Sequence, residues 1–206
     1  MSTSQDQKLI GGRYGLLREI GRGVTGHVFV AWDRHLEREV AVKVLDKQVA
    51  SDQEIVARFD LEIRYTSRLN HPGIVSVFEA AETPDGSMCY IMSLARGVTL
   101  DHRLDKLRDA GDHWREMSLI DRLTLFLKLL EVISYAHSQG IVHRDLKPAN
   151  IIVGHFGEVW VLDWGLARSL REEPAHIEEA YDELFSEAKE GLGKSTVIMT
   201  AGSAAA

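Results

Sequence analysis

Cys89 is the only cysteine in 206 residues, so an internal disulfide is excluded and the fold must rest on its core, which fits a reducing compartment. A lone thiol of this kind reads as a buried, inert side chain. An excess of basic charge is also lacking. The chain has 24 Lys and Arg against 31 Asp and Glu, a formal net charge of -7, and the charges are interspersed along most of its length. It therefore offers no positive field for nucleic acid or anionic lipid, and nucleic acid is not an expected partner. No stretch stays apolar for the roughly 20 residues a membrane helix needs. The opening Met1-Ser-Thr-Ser-Gln-Asp-Gln-Lys8 has no apolar core of the signal-peptide type. The chain thus reads as cytoplasmic, with no membrane segment and no internal repeat. What it does have is an apolar content of 45%, enough for a sizeable core in one domain or two small lobes.

After a polar leader, Tyr14–Ile20, His27–Asp33 and Glu39–Leu45 read as three short strands separated by a glycine-rich turn and a polar turn. In the third strand, period two sets Val40, Val42 and Val44 on one face and Ala41, Lys43 and Leu45 on the other. A helix is expected over Asp52–Leu69, where Ile55, Phe59, Glu62, Thr66 and Leu69 recur at helical spacing. Glu62 sits inside that stripe, and a carboxylate on a packed face needs a cation to meet it; Lys43 is the candidate. Strands over Val75–Ala81 and Cys89–Leu94 flank a Pro84-Asp-Gly turn, and Arg96-Gly97 breaks the pattern as a connector. A long helix begins at the capping pair Ser118 and Asp121. It carries an apolar stripe of Leu119, Leu123, Phe126, Leu130, Ile133 and His137 and ends before Gly140.

Four segments hold the chemistry. Gly21-Arg-Gly23-Val-Thr-Gly26-His-Val28 is a turn whose glycines let a backbone lie close over phosphates. Alone it is a weak signal, equally a flexible hairpin or a dinucleotide fingerprint. A dinucleotide unit needs a helix directly after the glycines, whereas His27-Val-Phe-Val-Ala-Trp reads as a strand. Val40-Ala-Val-Lys43 follows, then His143-Arg-Asp145-Leu-Lys147-Pro-Ala-Asn150, then Asp163-Trp-Gly165. In this order the set resembles the Hanks-type protein kinases, most closely their bacterial serine/threonine branch, from about Tyr14 to Arg168.

That resemblance implies an α+β fold of two lobes. The N-lobe would be a five-stranded antiparallel sheet with one helix, and the C-lobe incomplete and mainly helical. The divisions would be a polar leader over 1–13, the N-lobe over 14–95, a partial C-lobe with the catalytic loop over 96–168, and an activation segment and tail over 169–206. It implies transfer of the ATP γ-phosphate to Ser/Thr hydroxyls of proteins, with Mg2+ or Mn2+ as cofactor and autophosphorylation, for which a homodimer is a natural arrangement. By matched position, Asp145 accepts the substrate proton, Lys147 steadies the γ-phosphate, and Lys43 contacts ATP phosphates while oriented by Glu62. Asn150 and Asp163 hold metal, and His143 is a packing element. Gly21, Gly23 and Gly26 with Val28 and Ala41 form the nucleotide roof. Ile152 is the floor, Met92 guards the back pocket, and Ser93 to Ala95 form the hinge. For these apolar positions core packing is an equal reading. Trp164 departs from the family's phenylalanine.

No Ala-Pro-Glu segment follows Asp163, so the resemblance also implies an interrupted lower lobe, with apolar surface of the 118–138 helix left uncovered. This motivates an alternative: an ATP-binding regulatory module or an inactive kinase fragment. Many bacterial relatives carry a membrane segment beyond the kinase domain, so a longer native protein is compatible with anchoring. Arg144 receives a phosphorylated activation segment in such relatives, which makes Ser195, Thr196 and Thr200 expected modification sites. Ala188-Lys-Glu-Gly-Leu-Gly193-Lys194-Ser195 fits a relaxed P-loop pattern, but with no buried strand before it, it is expected not to bind nucleotide.

Overall fold

The computed structural model describes residues 9–109 and 118–169. The expected modification sites Ser195, Thr196 and Thr200 and the P-loop-like segment lie outside these residues. The chain forms two compact units, one containing residues 9–50 and 77–92, the other 51–76 and the described residues from 93 to 169.

The first unit is a five-stranded antiparallel sheet of β1 (Tyr14–Arg22), β2 (Gly26–Asp33), β3 (Arg38–Leu45), β4 (Val77–Glu82) and β5 (Met88–Met92), in the order β1-β2-β3-β5-β4. All five expected strands form, with ends shifted by one or two residues. Pairing settles the faces. Val28 lies opposite Lys43 and Lys43 opposite Tyr90, while Ala41 lies between Val30 and Met92. Directly paired residues point the same way, so Val28, Ala41, Lys43 and Met92 share one face. Val40, Val42 and Ile91 occupy the other and pack with Ile10, Tyr14 and Cys89. Burial pushes the Cys89 thiol up to about 12, so it is the inert side chain expected.

The chain enters this sheet through a buried ion pair. Arg13 donates from Nε and Nη2 to the two carboxylate oxygens of Asp33, both at 2.7 Å. Asp33 is fully buried and also accepts from the backbone N–H groups of His35 and Leu36. The same carboxylate thus fixes the start of β1 and the turn into β3, and Arg13 holds it below the usual carboxylate range.

The second unit opens with α1 (Gln53–Arg68). Asp52 caps it by accepting from Glu54 and Ile55, and Leu69 closes it. The expected stripe is buried at Phe59, Glu62, Thr66 and Leu69, and burial extends to Asp60, Ile63 and Tyr65. The next elements are β6 (Val98–Thr99) and α2 (Leu100–Asp109). Neither has a distinct sequence signal, because β6 is two residues long and α2 has few apolar residues. Then comes α3 (Leu119–Ser138), whose Ser118–Asp121 capping box forms as expected. Gly140, at φ 77, takes the left-handed position that ends it.

Most of the α3 stripe read from periodicity is exposed, with Ile133 alone of its apolar residues packed against the core. Leu119, Leu123, Phe126 and Leu130 face solvent, while Leu129, Val132 and Ala136 are buried. This helix is apolar on more than one side, so spacing alone could not choose the packed face. Leu129, Val132 and Ala136 meet Tyr65, Leu69 and Trp164 in the unit's core. The hairpin of β8 (Ile151–Val153) and β9 (Val159–Val161) packs there too, and β6 pairs with β8. The short strands β7 (Ile141–Val142) and β10 (Arg168–Ser169) also pair with each other. Among the described residues, no helix is long and apolar enough to cross a membrane.

Candidate active site

The second unit's chemistry is organised by two returns of the chain. Asn150 immediately precedes β8 and Asp163 lies just beyond β9, so the hairpin carries one back to the other. A backbone bond from Leu162 N–H to Asn150 O, at 2.8 Å, fixes that approach. The β7–β10 pair then ties the segment after Asp163 to the strand before His143. Ser169 N–H adds a bond to Tyr65 Oη on α1.

Within this frame Asp145 is held from several directions. Lys147 Nζ lies 2.7 Å from Asp145 Oδ2. Asn150 Nδ2 donates to the same oxygen at 3.1 Å and to the Asp145 backbone carbonyl at 2.9 Å. Asp145 N–H donates to His143 Nδ1. His143 is buried, and its other nitrogen, Nε2, is bonded to Leu162 O at 2.9 Å. Since Nδ1 accepts, Nε2 must carry the proton, which fixes the neutral tautomer. Both ring nitrogens are used internally, and the ring lies 4.6 Å from that of Trp164. This agrees with His143 as a packing element.

Lys147 draws the Asp145 carboxyl below the usual range, and Asp145 raises Lys147 in return. An ionised carboxylate with one well-fixed oxygen can accept a proton from a hydroxyl placed against it. Arg144 and Asp163 take positive φ angles, 68° and 61°, rarely adopted by residues with a side chain. Such strained backbone clusters at functional sites, and here it flanks Asp145 and aims Asp163.

Asn150 spends its amide N–H on Asp145, so the atom it has for a cation is Oδ1; with the Asp163 carboxylate this makes a hard oxygen donor set suited to Mg2+ or Mn2+. Among the described residues no cluster of three or more His, Cys, Asp or Glu could hold a metal. A cation there would complete its coordination with oxygens of water or of a bound ligand. Glu62 lies beside this segment, because a Cβ built on Gly165 would stand 3.8 Å from Glu62 Cβ. Trp164 is fully buried, donates from Nε1 to Val161 O at 3.3 Å, and fills the core next to His143.

The remaining expected residues divide between the units. Gly21 is the penultimate residue of β1, Gly23 lies in the turn, and Gly26 begins β2, with Gly23 N–H bonded to Gly26 O at 2.9 Å. None of the three has a positive φ. What demands glycine at Gly26 is close approach, since a Cβ there would meet the Val44 carbonyl oxygen at 2.0 Å. Val28, Ala41, Lys43 and Met92 share the sheet face described above, and Lys43 is buried. In the second unit, Ser93 and Ser76 exchange bonds, Ser93 N–H to Ser76 O and Ser76 N–H to Ser93 Oγ, both at 2.9 Å. Ala95 follows in the connector, and Ile152 is the central, partly buried residue of β8. His27, which the sequence reading left unassigned, bonds to two carboxylates. Its place inside the glycine motif was the available signal.

A family model described as "Protein kinase domain" matches residues 14–189. Serine/threonine-protein kinase PknD of Protochlamydia amoebophila is 34% identical over 92% of this chain and 19% of its own length. For serine/threonine-protein kinase PrkC of Bacillus subtilis the figures are 38%, 79% and 24%. For serine/threonine-protein kinase PknA of Mycobacterium tuberculosis they are 38%, 80% and 38%. The chain thus spans well under half the length of these relatives. With the catalytic-loop constellation formed inside the matched residues, this chain belongs to the protein kinase family.

Proposed function

We propose that this chain is the catalytic region of a serine/threonine protein kinase, moving the γ-phosphate of ATP to a Ser or Thr hydroxyl of a protein. The observation that carries the reading is the single Asp145 oxygen engaged by both Lys147 and Asn150, with Asp163 returned beside Asn150. Asp145 accepts the hydroxyl proton as the oxygen attacks phosphorus, and the leaving oxygen departs with ADP. Lys147, close to both Asp145 and the transferring group, offsets charge on the γ-phosphate. Asn150 and Asp163 would hold Mg2+, which would supply neutralisation of charge on the phosphate oxygens.

Lys43 is assigned to the ATP phosphates and Glu62 to its orientation, by matched position in the family. By matched position in the family, Val28, Ala41, Met92 and Ile152 are assigned to adenine, and Ser93 and Ala95 to the hinge. Catalysis of this kind rests on positioning and electrostatics rather than covalent chemistry. The serine/threonine preference is supported by Lys147, two residues after Asp145, and by the names of the relatives. The chain is assigned to the cytoplasm, and trans-autophosphorylation brings two copies together.

The test is intact mass after incubation with ATP and Mg2+, beside an Asp145→Asn control. Phosphate gained by the parent alone supports the reading. No gain with either protein, while ATP still binds, replaces it with a binding module.

A further inference from the structure

His27 stands between Gly26 and Val28, on the sheet face opposite Val28 and Lys43, so its ring points away from the proposed nucleotide side. Its two nitrogens nonetheless reach two different strands. Nδ1 lies 2.9 Å from Glu19 Oε1 on β1, and Nε2 lies 3.2 Å from Asp46 Oδ2, just past β3. Asp46 is itself fixed. Its N–H donates to Thr25 O inside the glycine-rich turn, and its Oδ1 accepts from Gln48 N–H. Arg22, at the end of β1, approaches Asp46 Oδ2 at 3.9 Å. The ring also stacks on Phe29, 6.2 Å away. Glu19, Arg22 and Asp46 are the charged groups facing His27.

A neutral imidazole has one N–H, so it could donate to only one of these carboxylates and would turn a lone pair toward the other. The imidazolium donates to both. Only the charged ring therefore closes a clasp across β1, β2 and the end of β3, on both stems of the glycine-rich turn. We infer that His27 is a positioning residue for nucleotide: as imidazolium it ties Glu19 to Asp46, holds the Gly21–Gly26 turn in place, and strengthens ATP binding at low pH relative to high pH.

The ring's affinity for protons agrees in direction. Glu19 first, then Asp46, raise His27 above its ordinary value, against opposition from desolvation and Arg22. A group raised in the folded state contributes fully below its unfolded value of about 6.5 and is lost as pH rises through its folded value. The clasp is thus closed in mildly acidic solution and opens toward alkaline pH.

The inference rests on the kinase reading for its ligand, but the clasp belongs to the nucleotide-free protein and is measured there first. NMR titration of the His27 ring is expected to give a midpoint above 6.5 that falls in Glu19→Gln and Asp46→Asn. The protection factor of the Asp46 amide is expected to fall as the ring deprotonates. Direct binding of ATP with Mg2+ is then compared at pH 6 and pH 8.5 in the parent, His27→Gln and His27→Arg. Arginine keeps two donors at both pH values, so phosphate titration common to all three proteins cancels against it. The parent should match His27→Arg at pH 6 and weaken several-fold relative to it at pH 8.5, while His27→Gln is weak at both. A His27 midpoint at or below 6.5, or His27→Gln binding as tightly as the parent at pH 6, overturns the clasp. ATP binding by none of the three overturns the kinase reading, and with it the effect on nucleotide, whatever the ring titration shows.

Discussion

Lys147 Nζ and Asp145 Oδ2 lie 2.7 Å apart, two residues from each other on a loop whose other contacts to Asp145 come from Asn150 and His143. The pair is partly open to solvent, with Lys147 about half exposed, so it adds little to stability. Its effect is on protonation: Lys147 holds Asp145 below the ordinary carboxylate range.

Lys147→Met is therefore expected to shift the pH profile as well as the rate. Asp145 is depressed in the folded protein, so it stays ionised until the solution is more acidic than its unfolded value of about 3.9. Removing the lysine lets the carboxyl rise, and the acid limb of kcat should move to higher pH. A lower kcat with an unmoved limb would mean that Lys147 acts only on the phosphate. Asp145→Asn should abolish transfer at every pH.

Lys43 and Glu62 are the two buried charges assigned to each other. If they act as one unit, Lys43→Met and Glu62→Gln should each lower kcat/KM by 100-fold or more (~3 kcal/mol), and the double variant should be little worse than either single one. Steady-state kinetics on the four proteins measures the coupling. Additive losses would show that the two residues serve separate purposes.

Gly26 and Gly23 provide a steric contrast within one motif. A Cβ at Gly26 would press into the Val44 carbonyl at 2.0 Å, whereas one at Gly23 would meet nothing within 4 Å. Gly26→Ala should disturb the β2–β3 register and cost about 2 kcal/mol or more by urea denaturation, and Gly23→Ala less than about 1 kcal/mol. Any loss of ATP affinity in Gly23→Ala then reports on the turn's approach to phosphate, not on folding.

These residues also show what the sequence could disclose. Lys43's face was legible because strand alternation is a strict rule, α1 was legible by the period of its buried stripe, and the α3 start was legible because Ser118 caps it by local chemistry. Asp145, Asn150 and Asp163 were legible through motif spacing, although their meeting depends on the β8–β9 hairpin, whose three-residue strands are too short to signal themselves. The packed face of α3 was not legible, because Leu123 and Phe126 are as apolar as Leu129 and Val132, and only neighbours distant in sequence decide between them. The partners of Arg13 and His27 were hidden for the same reason, since each contact spans eight or more residues.

Arg13 falls at the end of what sequence alone reads as a polar leader, yet it is part of the fold. Asp33 is fully buried and accepts from Arg13 twice and from two backbone N–H groups. Breaking a buried pair by removing one partner typically costs 3–5 kcal/mol, because the other charge is left without compensation. Arg13 keeps a second carboxylate nearby in Glu79, at 3.8 Å, and remains partly accessible. Asp33, without the guanidinium, keeps two backbone donors and only the more distant, partly exposed Arg38, whose Nε lies 3.9 Å from its Oδ2. Arg13→Met should therefore destabilise the chain by about 3 kcal/mol. Asp33→Asn, which retains an acceptor for His35 and Leu36 and leaves Arg13 with Glu79, should cost less. Urea midpoints of the two variants test the order, and a larger loss for Asp33→Asn would place the weight on the β2–β3 turn instead of the ion pair.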